Sequence, residues 1–351
     1  MKPVVYFNKN FSVTSAQLEA VRASGHFRTL ASHTDPSHAM IAAADEAVIE
    51  PKGLGGQRYL AWLLECCQRH AVAVLIVGKE REYLADFESD FARIGTHLVA
   101  PAPRQTQRLL EDKDRFLESL PPQILPIPAW RRFHDLASFQ RGVAELRSDP
   151  SFKSGRSRLC VKPARGVYAS GFRVLMEQPN LRSFLSGELY QMSYGEAERL
   201  FDSDALPTML LMHTLEGVER SIDAVAWRGE LAACVVRRKG GGGQLIEDRP
   251  DLVVAVRQLT QHYGLSGIFN VQTKDDDEKQ ANLLEINPRA SGGLRYSMAA
   301  GVNFPEIAAR LALGQLEPSE VAGSRTGLRL EEHKTVRILS PVSDQRLEVS
   351  A

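Results

Sequence analysis

The stretch Asn282-Leu-Leu-Glu-Ile-Asn-Pro-Arg-Ala-Ser-Gly-Gly293 concentrates the residues best suited to chemistry. Leu283 to Ile286 reads as a buried strand, interrupted by Glu285 and followed at once by Asn287, Pro288 and Arg289. A carboxylate set into an apolar strand costs on the order of 3–5 kcal/mol unless a cation or donor meets it. Glu285 and Asn287 are two apart, so a strand points both to one side. Two oxygen ligands on one face, then a guanidinium, suit Mg²⁺ together with phosphate. A buried salt bridge at a strand end satisfies the same residues, and the stretch alone does not separate the two.

A second group centres on Arg158-Leu-Cys-Val-Lys-Pro-Ala-Arg-Gly166. Leu159 to Val161 reads as a strand delivering Lys162, the small-residue turn Gly166 to Gly171 follows, and Phe172 to Leu175 returns as a strand. A lysine at a strand end facing such a turn can hold phosphates through its ammonium and free backbone N–H groups, although an ordinary hairpin has the same look. No Gly-Lys-Thr/Ser opens a helix, so this is not a Walker A loop. Lys113, in Leu109-Leu-Glu-Asp-Lys-Asp-Arg-Phe-Leu117, reads locally as part of a solvated helix face.

The elements that must position these residues fall into a simple order. Residues 1–104 alternate strand and helix signals: Val4–Phe7, a helix ending near Arg22, Phe27–Ala31, Ala47–Ile49, a helix Arg58–His70, the buried run Ala71–Val77, an amphipathic Arg81–Ile94 and His97–Ala100. This rhythm predicts an open, mainly parallel α/β sheet, without a Gly-x-Gly-x-x-Gly after its first strand. Six prolines between 101 and 128 flank one helix, Thr106–Leu120, and mark a boundary. Residues 181–204 read as a helix with Leu181, Phe184, Leu185 and Leu189 on one side. Thr208–Leu215, Glu219–Trp227 and Leu231–Val236 read as a three-stranded antiparallel meander, with His213 a strand histidine of no assigned role. Arg237-Arg-Lys239 and the four glycines Gly240–Gly243 read as a basic, flexible loop, either a substrate loop or a plain connection. After a helix Arg249–Tyr263, the strand Gly267–Gln272 puts Asn270 and Gln272 on one face, and Asp275–Glu278 reads as an exposed hairpin turn. That hairpin pairs the strand of Gln272 with that of Glu285. An amphipathic helix, Phe304–Gly314, and an edge strand within Leu328–Leu339 close the chain.

Composition narrows the alternatives. Lys plus Arg and Asp plus Glu both number 43 in 351 residues, which supports neither nucleic acid nor an anionic membrane as the main partner. The four cysteines lack metal-ligand spacing, no run approaches the ~18 apolar residues of a membrane span, and the N-terminus lacks a signal-peptide core. These features predict a cytoplasmic protein without disulfides or zinc. No Ser/His/Asp or Cys/His set stands out.

Asp112-Lys113, Lys162-Pro with its small-residue turn, His213-Thr-Leu-Glu-Gly-Val-Glu219-Arg-Ser-Ile-Asp223 and Leu284-Glu-Ile-Asn-Pro-Arg289 occur in that order, and together they resemble the ATP-grasp superfamily. The wording is similar to the carbamoyl phosphate synthase large chain and biotin carboxylase group, the run from Asn270-Val-Gln272 to Ala299-Ala-Gly-Val-Asn303 to the former. The likeness covers most of residues 1–315. It implies an α/β chain with a Rossmann-like open parallel sheet in 1–104 and a two-lobed, α+β ATP-grasp fold in 105–325. The small lobe would span about 155–212 and the large lobe about 213–325, with 326–351 packing on the large lobe.

The resemblance also implies residue roles. Lys113 and Lys162 match the lysines that reach the ATP phosphates, and the Gly166–Gly171 turn, with Ser170, matches the loop over them. Met212, His213 and Leu215 lie in the segment that meets adenine, mainly through its backbone, and Glu219 matches the acid on the ribose hydroxyls. Gln272, Glu285 and Asn287 match the ligands of two Mg²⁺ (or Mn²⁺) ions, and Arg289 the arginine near the transferred phosphate. Met212 and Gln272 stand where many relatives carry acids. Arg237-Arg-Lys239 with Gln244–Asp248 resembles the substrate loop of biotin carboxylase. The implied activity is an ATP- and Mg²⁺-dependent ligation of a small-molecule carboxylate to an amine or thiol, in a chain compatible with a homodimer. Phosphorylation of bicarbonate or carbamate and a non-catalytic ATP-binding regulator are the alternatives.

Overall fold

The computed structural model describes residues 2–152, 157–166, 170–178, 181, 185, 190–203, 205–240 and 242–333. Its strands form three sheets.

The first sheet contains β1 (Val4–Phe7), β2 (Arg28–His33), β3 (Glu46–Ile49), β4 (Val72–Ile76) and β5 (His97–Val99), in the order β3-β2-β1-β4-β5, all parallel. Both faces are covered, which is why β4 is an unbroken apolar run. Tyr6 and Leu30 pack with Tyr59, Leu60 and Leu63 of the helix Gly56–Arg69. Val5, Phe7 and Val74 face the helix Phe304–Ala312 from the far end of the chain. The expected open parallel sheet is present.

The single helix expected over Thr106–Leu120 is two helices, Arg104–Glu111 and Lys113–Ser119. Asp112 breaks them with an extended backbone (φ −102°, ψ 91°). The break turns the Lys113 amide toward the second sheet, where it donates to the Ala164 carbonyl at 3.0 Å.

The second sheet runs β6 (Trp130–Phe133), β10 (Met209–His213), β7 (Leu159–Pro163), β8 (Arg173–Met176), β9 (Gln191–Ser193). The helices Leu136–Arg147 and Tyr194–Ser203 cover one face through Phe133, Phe139 and Phe201, whose ring centroids lie 5.0–5.2 Å apart. The 181–204 helix is corrected accordingly: Gln191–Ser193 is a strand, and the helix begins at Tyr194 after the Glu196 carboxylate accepts from the Ser193 amide and hydroxyl, each at 2.8 Å. Phe184 and Leu189 lie outside the described residues.

The third sheet is antiparallel, in the order β15 (Ala281–Asn287), β14 (Gly267–Asp275), β11 (Glu219–Trp227), β12 (Glu230–Gly240), β13 (Gly243–Glu247), β16 (Arg329–Leu330). Three expectations change here. The meander fails because β10 pairs with β6 and β7 in the second sheet, so Thr214–Val218 is a crossing between sheets rather than a hairpin turn. Arg237-Arg-Lys239 is strand, not loop: β12 runs to Gly240, which pairs with Gly243 of β13, and Arg237 is 0% exposed. Asp275 is buried in β14, where its carboxylate accepts from Arg220 Nη1 at 2.6 Å, so the exposed turn starts one residue later. The edge strand expected in 328–339 is the two-residue β16, and positions from 334 lie outside the described residues.

One face of this sheet packs Ile222, Ala224, Phe269 and Val271 under Leu252, Val256 and Leu259 of the helix Pro250–Tyr263. The other face changes character along the strands. Val225, Ala233, Val235 and Ile268 pack on the helix Phe304–Ala312. Beyond them the same strands carry Ser221, Asp223, Arg237, Asn270 and Gln272. That polar end opens on a cavity.

Candidate active site

A cavity of about 1350 Å³ lies between the second and third sheets, bordered also by residues 81–82 and 105–115. It is lined by Lys113, Lys162, Gly166, Ser170, Met212, His213, Leu215, Glu219, Gln272, Glu285, Asn287 and Arg289, so the fold gathers twelve of the thirteen sequence candidates. Gly171 does not line it. At φ +71° a Cβ there would stand 2.8 Å from the Pro163 ring, so glycine lets the turn after β7 fold back on its strand.

On the second-sheet wall, β7 presents Cys160 and Lys162, two apart and therefore on one face. The Lys162 ammonium has neither a hydrogen bond nor an ion pair among the described residues. Burial holds its pKa below the ordinary lysine value; Cys160 and Glu285 oppose that shift, and Lys113 adds to it. Lys113 Nζ donates to the Gly166 carbonyl at 2.8 Å. Next to it, Arg165 reaches Asp112 Oδ2 with Nη2 at 2.7 Å and Nε at 3.2 Å. These contacts tie the start of the small-residue turn to the helix break. Asp112 is held below the usual carboxylate range by a hydrogen bond from Asp114 and by Arg165, while burial and Asp112 push Asp114 up. Burial raises the Cys160 thiol, against the charges of Lys162 and Lys274.

On the third-sheet wall, register does the gathering. Ser221, Gln272 and Glu285 stand abreast on β11, β14 and β15, as do Asp223, Asn270 and Asn287, and Glu219 pairs with Lys274. A bulge past Gln272 and Glu285 shifts the register by one residue. Asn287 Nδ2 donates to Glu285 Oε1 at 2.8 Å, and Arg289 Nη2 to Asn287 Oδ1 at 3.3 Å. The Arg289 guanidinium lies 5.6 Å from the centroid of the Phe11 ring, on the loop after β1. Glu219 accepts from Lys239 Nζ at 2.5 Å. The His213 ring turns away from the cavity, with Nε2 3.1 Å from the Leu146 carbonyl.

Gln272, Glu285 and Asn287 offer one carboxylate and two amide oxygens. Among the described residues no cluster of three or more His, Cys, Asp or Glu could hold a metal. An ion bound here would therefore draw ligands from phosphate as well, which fits Mg²⁺, a cation that commonly uses one or two carboxylates plus substrate oxygens.

Arg237, expected in a flexible basic loop, is instead buried on β12. Its Nε donates to Asp223 and Ser297, both at 2.9 Å, its Nη2 to Ser221 at 3.0 Å and Ser291 at 2.9 Å, and its Nη1 to Gln244. Gly293 packs flat against it, where a Cβ would stand 2.5 Å from Nη1. Alternation was the available signal: Ala233, Val235 and Arg237 share a face, and the basic run ending in glycines masked it. Lys274 was passed over for a similar reason, beside the acidic run that follows it.

The fold is the ATP-grasp fold, preceded by a parallel α/β sheet. Within the chain, residues 205–336 match the family described as ATP-grasp in the biosynthetic pathway with Ter operon. N5-carboxyaminoimidazole synthetase from Staphylococcus aureus, solved with ADP, matches with a TM-score of 0.63 at 13% identity, over 93% of this chain and 81% of that one. The biotin carboxylase domain of Hydrogenobacter thermophilus 2-oxoglutarate carboxylase, solved with MgADP, ADP and bicarbonate, matches at 0.61 and 16%, over 90% and 70%. L-amino acid ligase from Bacillus licheniformis matches at 0.58 and 14%, over 91% and 76%. At these identities the likeness is one of fold. No curated protein matches the chain in sequence. Among the described residues no helix is long and apolar enough to cross a membrane.

Proposed function

We propose that this protein is an ATP- and Mg²⁺-dependent ligase that activates a carboxylate as an acyl phosphate for attack by an amine or thiol. The observation that carries the reading is Lys162. A deeply set ammonium without a hydrogen bond or ion pair is costly; Lys162 has neither among the described residues and shares a cavity with Lys113, Glu285 and Arg289. A polyphosphate bound between the walls supplies the missing negative charge.

Lys113 and Lys162 take the phosphates, with Gly166 and Ser170 closing over them and Gly171 allowing the turn. Met212, His213 and Leu215 meet the base through the backbone. Glu219, exchanging its contact with Lys239, receives the ribose hydroxyls. Gln272, Glu285 and Asn287 hold the magnesium, which neutralises phosphate charge when bound. Arg289 stands where the acid and the transferred phosphoryl group meet. In the first step a carboxylate oxygen attacks the terminal phosphorus and ADP leaves. In the second the nucleophile attacks the acyl carbon and phosphate leaves. Such transfers depend on positioning and charge stabilisation rather than on a protein nucleophile, and the raised pKa of Cys160 keeps its thiol protonated and unreactive.

Incubation with ATP, Mg²⁺, hydroxylamine and a panel of carboxylic acids tests this. The expected result is ADP release with a hydroxamate from at least one acid. ATP turnover stimulated by bicarbonate alone would instead indicate carboxyphosphate chemistry, and ATP binding without ADP under every acid would indicate a regulator.

A further inference from the structure

Arg81, Pro288 and Arg289 line the large cavity and also a second, smaller one of about 20 Å³, so the two adjoin at these residues. The smaller cavity lies at the carboxyl ends of the first-sheet strands. Asn10 after β1, Ile76 and Gly78 at the end of β4, and Val99 of β5 form one side, with Ile268 of β14 and Ala290 on the other. In the order β3-β2-β1-β4-β5 the winding of the chain reverses between β1 and β4. The crevice outside such a reversal is where open parallel sheets take ligands.

Two donors at this junction lack an acceptor. Gln17, on the helix Thr14–Ser24, lines the smaller cavity, is 2% exposed, and its amide makes no hydrogen bond among the described residues. A buried amide without a partner is costly. Arg81 pairs with Glu111 through Nη2, yet its Nε is buried without a hydrogen bond. A guanidinium bonds most strongly to an ionised acceptor. The charge of the large cavity agrees: ten lysines and arginines line it against five carboxylates. An ATP tetraanion with two Mg²⁺ ions is neutral as a unit, and leaves that excess for a further anion.

We propose that the acid substrate carries a second carboxylate, remote from the reacting one, and that Arg81 and Gln17 hold it in the crevice. The assignment rests on the ligase reading above and names its substrate class, a dicarboxylic acid. The reacting carboxylate lies at Arg289 in the large cavity, and the body of the acid passes Pro288 into the smaller one. A volume of about 20 Å³ is little more than one water needs. It admits a flat carboxylate and rejects a phosphate ester or an aromatic ring. Arg81 is thereby a specificity-determining residue, supplied by the first sheet to a reaction whose other residues come from the second and third.

The test is calorimetric titration of straight-chain dicarboxylic acids of increasing length, each beside its monoamide, into the wild type, Arg81→Gln and Arg81→Lys with MgADP present. At least one diacid is expected to bind the wild type about ten- to a hundredfold more tightly than its monoamide, as for a hydrogen bond to a charged group. Arg81→Gln should bring the two within about threefold of each other, and Arg81→Lys, which keeps the charge, should restore part of the preference. Both ligands are compared on one preparation, so a partly unfolded variant changes the stoichiometry and not the ratio. Equal binding of every diacid and its monoamide by the wild type would overturn the assignment, as would a preference that survives in Arg81→Gln or the absence of diacid binding. Hydroxamate formation with the same acids separates this from the ligase reading: a diacid that binds through Arg81 but yields neither hydroxamate nor ADP would uphold the carboxylate site and overturn the ligase.

Discussion

Glu285 and Lys162 come from strands in different sheets, more than a hundred residues apart, and each lacks what the other alone cannot provide. Glu285 is the one carboxylate among the three oxygen-bearing residues Gln272, Glu285 and Asn287, and Asn287 already orients it through a 2.8 Å hydrogen bond. Replacing it with glutamine keeps shape and hydrogen bonding and removes the charge. Glu285→Gln is therefore expected to lower turnover by on the order of a hundredfold or more, with the fold intact by circular dichroism. Lys113→Ala, which removes the ammonium on the Gly166 carbonyl, should chiefly raise the ATP concentration required. Steady-state kinetics of the two variants check both, and normal turnover in Glu285→Gln would refute the metal role. At this scale the sequence was legible where a polar residue interrupts an apolar run, as Glu285 does. It was illegible where a polar residue sits among other polar residues, as Lys274 and Arg237 do.

Among the elements, the third sheet does most of the positioning, and it does so on a buried ion pair. Arg237 on β12 ties β11 through Ser221 and Asp223, β13 through Gln244, the segment after Arg289 through Ser291, and the following helix through Ser297. Breaking one partner of such a pair typically costs about 3–5 kcal/mol, because the other is left charged and dry. Gly293 is part of this arrangement by having no side chain. Gly293→Ala places a Cβ 2.5 Å from the guanidinium, and is expected to cost about 1–3 kcal/mol as an overpacked site. Chemical denaturation measures it; a change below about 0.5 kcal/mol, the range of ordinary surface substitutions, would mean that the guanidinium moves freely. The 104–120 region teaches the same lesson in another form. Its helical periodicity is real on both sides of Asp112, but the break is fixed by contacts to Ala164, Arg165 and Gly166, which no local pattern contains.

Across the whole molecule, the helix Phe304–Ala312 joins the first and third sheets. Phe304, Ala308 and Leu311 pack in one cluster with Val5, Phe7 and Val74 of the parallel sheet and with Val225, Val235 and Ile268 of the antiparallel one. Phe304 is fully buried, so Phe304→Ala is expected to cost about 3–5 kcal/mol. Hydrogen exchange should show protection falling together in β4 and β14. A loss confined to one of these strands would show that the sheets are stabilised separately. This coupling matters for function, because Arg289 and Phe11 meet across the same seam, at 5.6 Å.

The amino-acid sequence by itself determined the parallel character of the first sheet, through strands apolar on both faces alternating with amphipathic helices. It also determined the face shared by Gln272 with Asn270 and by Glu285 with Asn287, because side chains alternate along a strand whatever surrounds it. Tertiary structure alone decided which strands became neighbours. It sent β10 to the second sheet and β11 to the third, ran β12 through the basic residues, and brought Lys113 and Lys162 to the same cavity as Gln272, Glu285 and Asn287. The physical reason is range. Alternation and capping act over a few residues, whereas the pairing of sheets and the burial of an arginine are settled by surfaces that meet only once the chain has folded.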